Sequence, residues 1–246
     1  MAHPSFQRTA HRPWALPTSP WVWRQSWRDL LFAHWPVEAS VLQRFVPSPL
    51  RVQEFDGTSW IGLVPFRMAG VMRRPWPDLP WMSAFPELNV RLYVELDGKP
   101  GVWFLSLDAT NPLAVWAARR YFHLPYHSAR ISLHGVEGGI RYSARRTSGH
   151  PALEATYRAI SSPYESRQGT LEHWLTERYC LYAQTPDGVI LRNDVHHVPW
   201  PLQRAEAEIT ENSYFAAHGL DIGGPPALLH AARRIDVVVW NAERAL

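Results

Sequence analysis

The stretch Glu87-Leu88-Asn89-Val90-Arg91-Leu92-Tyr93-Val94-Glu95 alternates polar and apolar side chains without a break. A period of two specifies a β-strand whose faces differ chemically. Leu88, Val90, Leu92 and Val94 share the apolar face. Glu87, Asn89, Arg91, Tyr93 and Glu95 share the other, where two carboxylates, an amide, a guanidinium and a phenol form either a solvated surface or the polar lining of a lumen.

Strand-like runs recur along the chain, punctuated by turn dipeptides. Asp56-Gly57, Asp97-Gly98 and Asp187-Gly188 accept the positive φ of tight turns and join strands into hairpins. Strands are expected at 22–35, 50–55, 59–68, 88–95, 102–107, 129–133, 140–145, 153–160, 179–183, 189–195, 205–210 and 234–240, mostly antiparallel. About three short helices interrupt them. Asn111 is a side-chain cap followed by Pro112 at the first helical position, where a missing N–H costs nothing, and Pro125 closes that segment. Thr170 caps a second helix running to about residue 178, and a third lies between 212 and 219. Pro36 and Pro47 bracket a further helical turn with Ala39, Leu42 and Phe45 inward.

Pro4, Pro13, Pro17 and Pro20 disfavour regular helix at the start of the chain. Residues 1–20 are therefore expected to form an extended arm laid over one domain spanning 21–246. With 46% hydrophobic and 19% charged residues, that domain has the material for a large core.

Net charge is +3, and basic residues never run longer than two, so no stripe able to displace phosphate counterions is present and a nucleic-acid partner is not expected. Cys180 is the sole cysteine, which excludes an internal disulfide and fits a reducing compartment. No apolar leader core and no stretch of about 20 apolar residues is found; a cytoplasmic protein without a membrane span is expected.

Phosphate-loop, zinc-protease, paired-cysteine and serine-hydrolase signatures are absent from the sequence. His196 and His197 are adjacent on an expected strand, so they face opposite ways and do not converge on one ion. One is expected buried and one exposed. Neither a metal nor a cofactor is expected.

Several segments resemble known proteins. Trp27-Arg28-Asp29-Leu30 through Val46-Pro47-Ser48-Pro49-Leu50, Tyr93-Val94-Glu95, Leu107-Asp108 and Leu124-Pro125-Tyr126-His127 are similar to acetoacetate decarboxylase. Along nearly the whole chain, His11-Arg12-Pro13-Trp14, Phe85 to Arg91, Gly169-Thr170-Leu171-Glu172 and Pro199 to Gln203 resemble the uncharacterised YqjF-like family. This resemblance implies an acetoacetate-decarboxylase-like fold, a mainly antiparallel β-barrel with an internal cavity.

Carried over by that resemblance, Arg28 falls on the decarboxylase's site arginine and Glu95 on a site glutamate. Tyr126 falls on the Schiff-base lysine and His127 on the lysine beside it. Lys99 is the only lysine and sits in a turn expected to be exposed, whereas imine chemistry needs an amine nucleophile in the site. The chain is therefore not expected to be an acetoacetate decarboxylase.

Three readings follow. The first is an acid/base enzyme acting on a small carboxylate or carbonyl compound, with Arg28 or Arg91 binding it, Glu95 or Glu87 moving a proton, Tyr126 polarising an oxygen, and Asn89, Tyr93 and His127 lining the site. The second is a non-catalytic binding protein for a small anionic ligand. The third is a structural or protein-interaction role, which the thirteen tryptophans fit as well as they fit a core; a homo-oligomer is compatible with each reading.

Overall fold

The computed structural model describes residues 3–76 and 83–245. Its strands are β1 (Trp23–Val37), β2 (Arg51–Val52), β3 (Ser59–Arg73), β4 (Phe85–Leu96), β5 (Lys99–Ala109), β6 (Tyr126–Val136), β7 (Gly139–Arg146), β8 (Ala152–Ala159), β9 (Cys180–Gln184), β10 (Ile190–His196), β11 (Gln203–Asn212), β12 (Leu228–Val239) and β13 (Glu243–Arg244). Helices are short: α1 (Ala39–Gln43), α2 (Pro112–Ala117) and α3 (Leu171–Thr176). None is long and apolar enough to cross a membrane.

Local chemistry accounts for the helix starts. Asn111 Oδ1 accepts from the backbone N–H groups of Leu113 and Ala114 at 3.0 and 3.2 Å, satisfying donors that the first turn of α2 cannot satisfy itself. Wider π-type turns continue α2 over Ala118–Phe122 and end where His123 turns left-handed at φ 53°. The third expected helix is a single 3-10 turn, Ala216–His218.

The sheet forks twice and closes on itself. Strands β12, β1, β3, β4 and β5 form a shared arc. On the free edge of β5, the Leu107–Ala109 end pairs with β6 and the Val102–Trp103 end with β9, both in parallel. On the free edge of β12, the Gln203 end of β11 pairs near Ala231, and β10 pairs near Val239. One ring therefore closes through β6, β7, β8 and β11, and the other through β9 and β10. The remaining named pairings are antiparallel, as the turn dipeptides predict.

Because both faces of the shared arc lie inside a ring, its strands have two interiors. Leu88, Val90, Leu92 and Val94 of β4 pack with Tyr142 and Ala144 of β7 and Leu153, Ala155 and Tyr157 of β8. The opposite face contributes Phe32, Val64, Phe66 and Phe85 to a second cluster with Val195 and Trp200. Burial of this apolar surface is the principal stabilising term.

The N-terminal segment lies on β10 and β12. After one 3-10 turn at Pro4–Gln7, Arg12 pairs with buried Asp194 at 3.3 Å, to which Trp14 Nε1 also donates at 2.8 Å. The ring of Phe6 stacks on His196, whose Nε2 meets the Ser5 carbonyl at 2.9 Å. Both His196 and His197 are consequently buried. This corrects the expectation of one exposed imidazole: the arm covers the face that would otherwise meet water.

Candidate functional site

Between the shared arc and the β9–β10 arm lies a cavity of about 380 Å³. Alternation on β4 sends Glu87, Asn89 and Arg91 into it. Strand β1 supplies Trp23, Gln25 and Trp27 from odd positions, then Leu30 and Phe32 from even ones. The switch occurs at Asp29, in the left-handed region at φ 53°, where the pairing with β3 is irregular between Arg28 and Ala33. Such a bulge changes which face the following residues occupy.

At one end, Tyr126 donates its hydroxyl hydrogen to Glu87 Oε2 at 2.9 Å. Tyr126 opens β6 immediately after Pro125, paired in parallel with Leu107. Glu87 is only 2% exposed. Burial pushes its carboxyl up to about 8, against the hydrogen bond from Tyr126, and nearby Asp108 raises it further. Burial also raises the Tyr126 phenol well above its usual range. At neutral pH the pair is mainly a neutral carboxyl beside a neutral phenol.

At the other end stand two guanidinium groups. Arg91 donates from Nε to the Tyr93 hydroxyl at 3.0 Å and from Nη2 to the Leu175 carbonyl at 3.2 Å. Arg178 donates from Nε to the Trp174 carbonyl at 2.6 Å and from Nη1 to Gln53 Oε1. Both thus satisfy carbonyls in the last turn of α3, which need partners outside the helix. Their guanidinium carbons lie 5.3 and 5.0 Å from the centre of the Tyr93 ring, within the range of cation–π attraction. Desolvation lowers Arg178 to about 10, which leaves it charged at neutral pH.

Tyr93 is the hinge of this end. Its hydroxyl meets His34 Nε2 at 2.5 Å, and burial, with Arg91 and His230 nearby, holds His34 well below its usual range. His34 is therefore neutral, and the simplest proton arrangement has Tyr93 accepting from Arg91 and donating to His34. Gly62 makes this packing possible: a Cβ there would lie 3.2 Å from Arg91 Cγ and from the Tyr93 hydroxyl.

Five polar atoms on cavity-lining residues are buried without a hydrogen-bond partner among the described residues: Arg178 Nη2, Asn89 Oδ1, Asn193 Oδ1, Trp27 Nε1 and Trp200 Nε1. Native structures leave few such groups unmet. The set presents both donors and acceptors to whatever occupies the space.

Of the residues singled out by sequence, Glu87, Asn89, Arg91 and Tyr126 line the cavity together. Tyr93 is fully buried behind the lining, and Glu95 is half-buried and accepts from Gln53 at 2.8 Å. Glu95 reaches Arg178 only through the Gln53 amide. Three expectations require correction. Arg28 is not a lining residue, because it directly precedes the bulge and lies on the opposite face from Trp27, level with Arg67 and Arg234. His127 is not one either: it follows Tyr126 on the same strand and so faces away, level with Asp108 and close to Arg146. Lys99, expected to be exposed, is instead half-buried at the start of β5, outside the lining.

Sequence reasoning missed Arg178, Asn193, His197, Trp200 and Gly62. Trp200 lay in plain view within Pro199-Trp200-Pro201, and the glycine interrupts an otherwise apolar strand, which signals close approach. Nothing local marks Arg178 or Asn193.

The DUF2071 model, described as an uncharacterized conserved protein, matches residues 24–236. The chain belongs to this family. The uncharacterized protein YqjF of Bacillus subtilis is 44% identical over 227 residues, covering 92% of this chain and 93% of that one. Among solved structures, acetoacetate decarboxylase from Legionella pneumophila is similar at a TM-score of 0.65 with 13% identity, covering 98% of this chain and 94% of that one. The enduracididine biosynthesis enzyme MppR complexed with pyruvate has a TM-score of 0.65 with 12% identity, covering 94% and 92%. At such low identity these two structures establish that this DUF2071 member has the acetoacetate-decarboxylase-like fold.

Proposed function

We propose that this DUF2071 protein is an acid/base enzyme acting on a small carboxylate or carbonyl compound, with Glu87 as the proton-transfer group. The observation that carries the proposal is the Glu87–Tyr126 pair inside the cavity, its carboxyl buried and its phenol half-buried. A carboxyl titrating near 8 is populated in both protonation states near neutral pH, the condition under which one group can both give and take a proton. Two neighbours of the same fold support the class, since their descriptions name acetoacetate and pyruvate, both small oxo acids.

In this scheme the ionised Glu87 takes a proton from the carbon next to a carbonyl, and the electron pair of the C–H bond delocalises onto the carbonyl oxygen as an enolate. Glu87, now neutral, returns the proton to carbon. Tyr126 holds the carboxyl through Oε2 and leaves Oε1 for the substrate. Arg91 and Arg178 meet a substrate carboxylate with the N–H groups they do not give to Tyr93, Leu175, Trp174 and Gln53, the unpartnered Nη2 of Arg178 among them. No imine is invoked, because the single lysine is Lys99 and it is not a lining residue.

The test is exchange of carbon-bound hydrogen in D₂O, followed by proton NMR on pyruvate, acetoacetate and simple ketones. Exchange is expected with wild type and lost in Glu87→Gln. Tyr126→Phe should slow it and move its pH midpoint upward, because the Tyr126 hydrogen bond favours ionised Glu87. A second reading, binding without turnover, is favoured by the largely apolar walls of Trp27, Phe32, Phe66 and Trp200. Absence of exchange above the Glu87→Gln background, with ligand bound, would select it.

A further inference from the structure

We infer that Arg178 is the anion anchor of this cavity and that the ligand is a monocarboxylate with an extended apolar body, longer than pyruvate or acetoacetate. This deepens the proposed function and rests on it only in taking the cavity as the ligand site.

Arg178 is 7% exposed, lines the cavity, and spends Nε and Nη1 on Trp174 and Gln53. Its Nη2 is buried with no partner among the described residues. Neither Arg178 nor Arg91 is ion-paired among the described residues, and Glu95 is separated from Arg178 by an amide. Burying a charge without an opposite charge is costly, and a ligand carboxylate offsets that cost. A single head group suffices, because the far end holds a mainly neutral Glu87 that has no use for a second anion.

The body of the ligand follows from the space. On β4 the inward positions Glu87 and Arg91 are four residues apart, so their backbone positions lie about 13 Å apart along the strand. Aromatic and aliphatic side chains form the walls between them. A cavity of about 380 Å³ belongs with pockets for drug-sized molecules, roughly 300–1,000 Å³, and a three-carbon acid would leave most of it unfilled. The apolar lining also runs out to the surface at Leu113, 52% exposed, and Trp76, 67% exposed, giving a long body an exit.

The experiment is calorimetric titration of wild type with acetate, hexanoate and decanoate, and with 1-decanol as the uncharged match. Affinity should rise about fourfold per added methylene until the cavity is filled, and decanoate should bind at least tenfold more tightly than decanol. Arg178→Gln should reduce decanoate to the decanol level. Arg178→Lys should recover only part, since an ammonium cannot hold Trp174 and Gln53 as the guanidinium does and also present a fixed donor to the ligand. Because Arg178 also caps α3, the acid-against-alcohol comparison in wild type decides the matter even where a variant does not fold. Equal binding of decanol and decanoate, or a folded Arg178→Gln that binds decanoate like wild type, would overturn the anchor. No gain in affinity from acetate to decanoate would overturn the extended body. Proton exchange is read separately: decanoate binding without exchange removes the catalytic scheme and leaves the anchor, whereas exchange on pyruvate without a chain-length effect does the reverse.

Discussion

Tyr126 and Glu87 meet across 2.9 Å on two strands that never pair, β6 and β4, and the only strand between them is β5. The contact therefore spans the cavity side of β5. It binds the first residue of β6 to the inward face of β4, and it makes the protonation state of Glu87 a property of the fold.

That coupling has a sign. The Glu87 carboxyl rises from its ordinary 4.5 to about 8 on folding, so between these values the unfolded chain has released a proton that the folded chain retains. Stability contributed by this group is thus full below about pH 4.5, falls as pH rises, and levels off above about 8. Glu87→Gln removes the slope while keeping an acceptor for Tyr126. Urea unfolding at pH 5 and pH 8.5 should show the variant gaining on wild type by an amount on the order of 3–5 kcal/mol. Parallel stability curves for the two proteins would place an ionised Glu87 in the folded state and remove the basis of the acid/base scheme.

Cys180 gives a second titration test. It lines the cavity, so a small reagent has a route to it, yet burial pushes its thiol up to about 12. Only the thiolate is nucleophilic. Native protein at pH 8 should react with iodoacetamide at least tenfold more slowly than urea-unfolded protein, as read by intact mass. Equal rates would show that the β9 end of the ring opens readily.

The closure of that ring is narrow, which makes Gly101 informative. A Cβ at Gly101 would fall 2.7 Å from Cys180 Sγ and 2.7 Å from Tyr182 Cε2, at the point where β5 and β9 share only the pairs Val102–Leu181 and Trp103–Tyr182. Gly101→Ala should cost about 1–3 kcal/mol through overpacking, and the melting temperature should fall by roughly 2–4 °C per kcal/mol. A melting temperature unchanged from wild type would mean that the β5–β9 junction yields without penalty.

How much of this was legible in the sequence depended on whether the signal was local. Alternation on β4 is a local signal: it puts Glu87, Asn89 and Arg91 on one face, the face that lines the cavity, and because both faces of that strand are buried a slip of one residue would exchange charge for core. The Asn111 cap and the Asp-Gly turns were equally local. Arg28 was misplaced because a single left-handed residue, Asp29, changes the facing of β1, and neither composition nor resemblance marks a one-residue bulge. His127 was misplaced for a simpler reason: resemblance aligned two adjacent residues with two adjacent lysines, but neighbours on a strand face opposite ways. Arg178, Asn193 and Trp200 reach the cavity only because β9 and β10 close the second ring, and ring closure is a long-range property with no local period.

The sharpest contrast with a decarboxylase can be built at Tyr126. In wild type the single lysine is Lys99, outside the cavity lining, so borohydride reduction in the presence of acetoacetate should give no stoichiometric adduct. Tyr126→Lys places an amine where burial is complete enough to raise the native phenol well above its usual range; the same desolvation acts oppositely on an ammonium, whose charged form it destabilises, and lowers its pKa. Glu87 at 2.9 Å from the native hydroxyl opposes this, since an ionised carboxylate would hold the ammonium charged. The double variant Tyr126→Lys/Glu87→Gln should therefore form the reducible adduct at lower pH than Tyr126→Lys alone, and both should turn over poorly, because among the described residues the cavity lining holds no carboxylic acid besides Glu87. Peptide mapping after reduction gives the answer. An adduct on the amine introduced at position 126 in either variant, absent from wild type, supports the cavity position of this residue, and a stoichiometric wild-type adduct at Lys99 would contradict it.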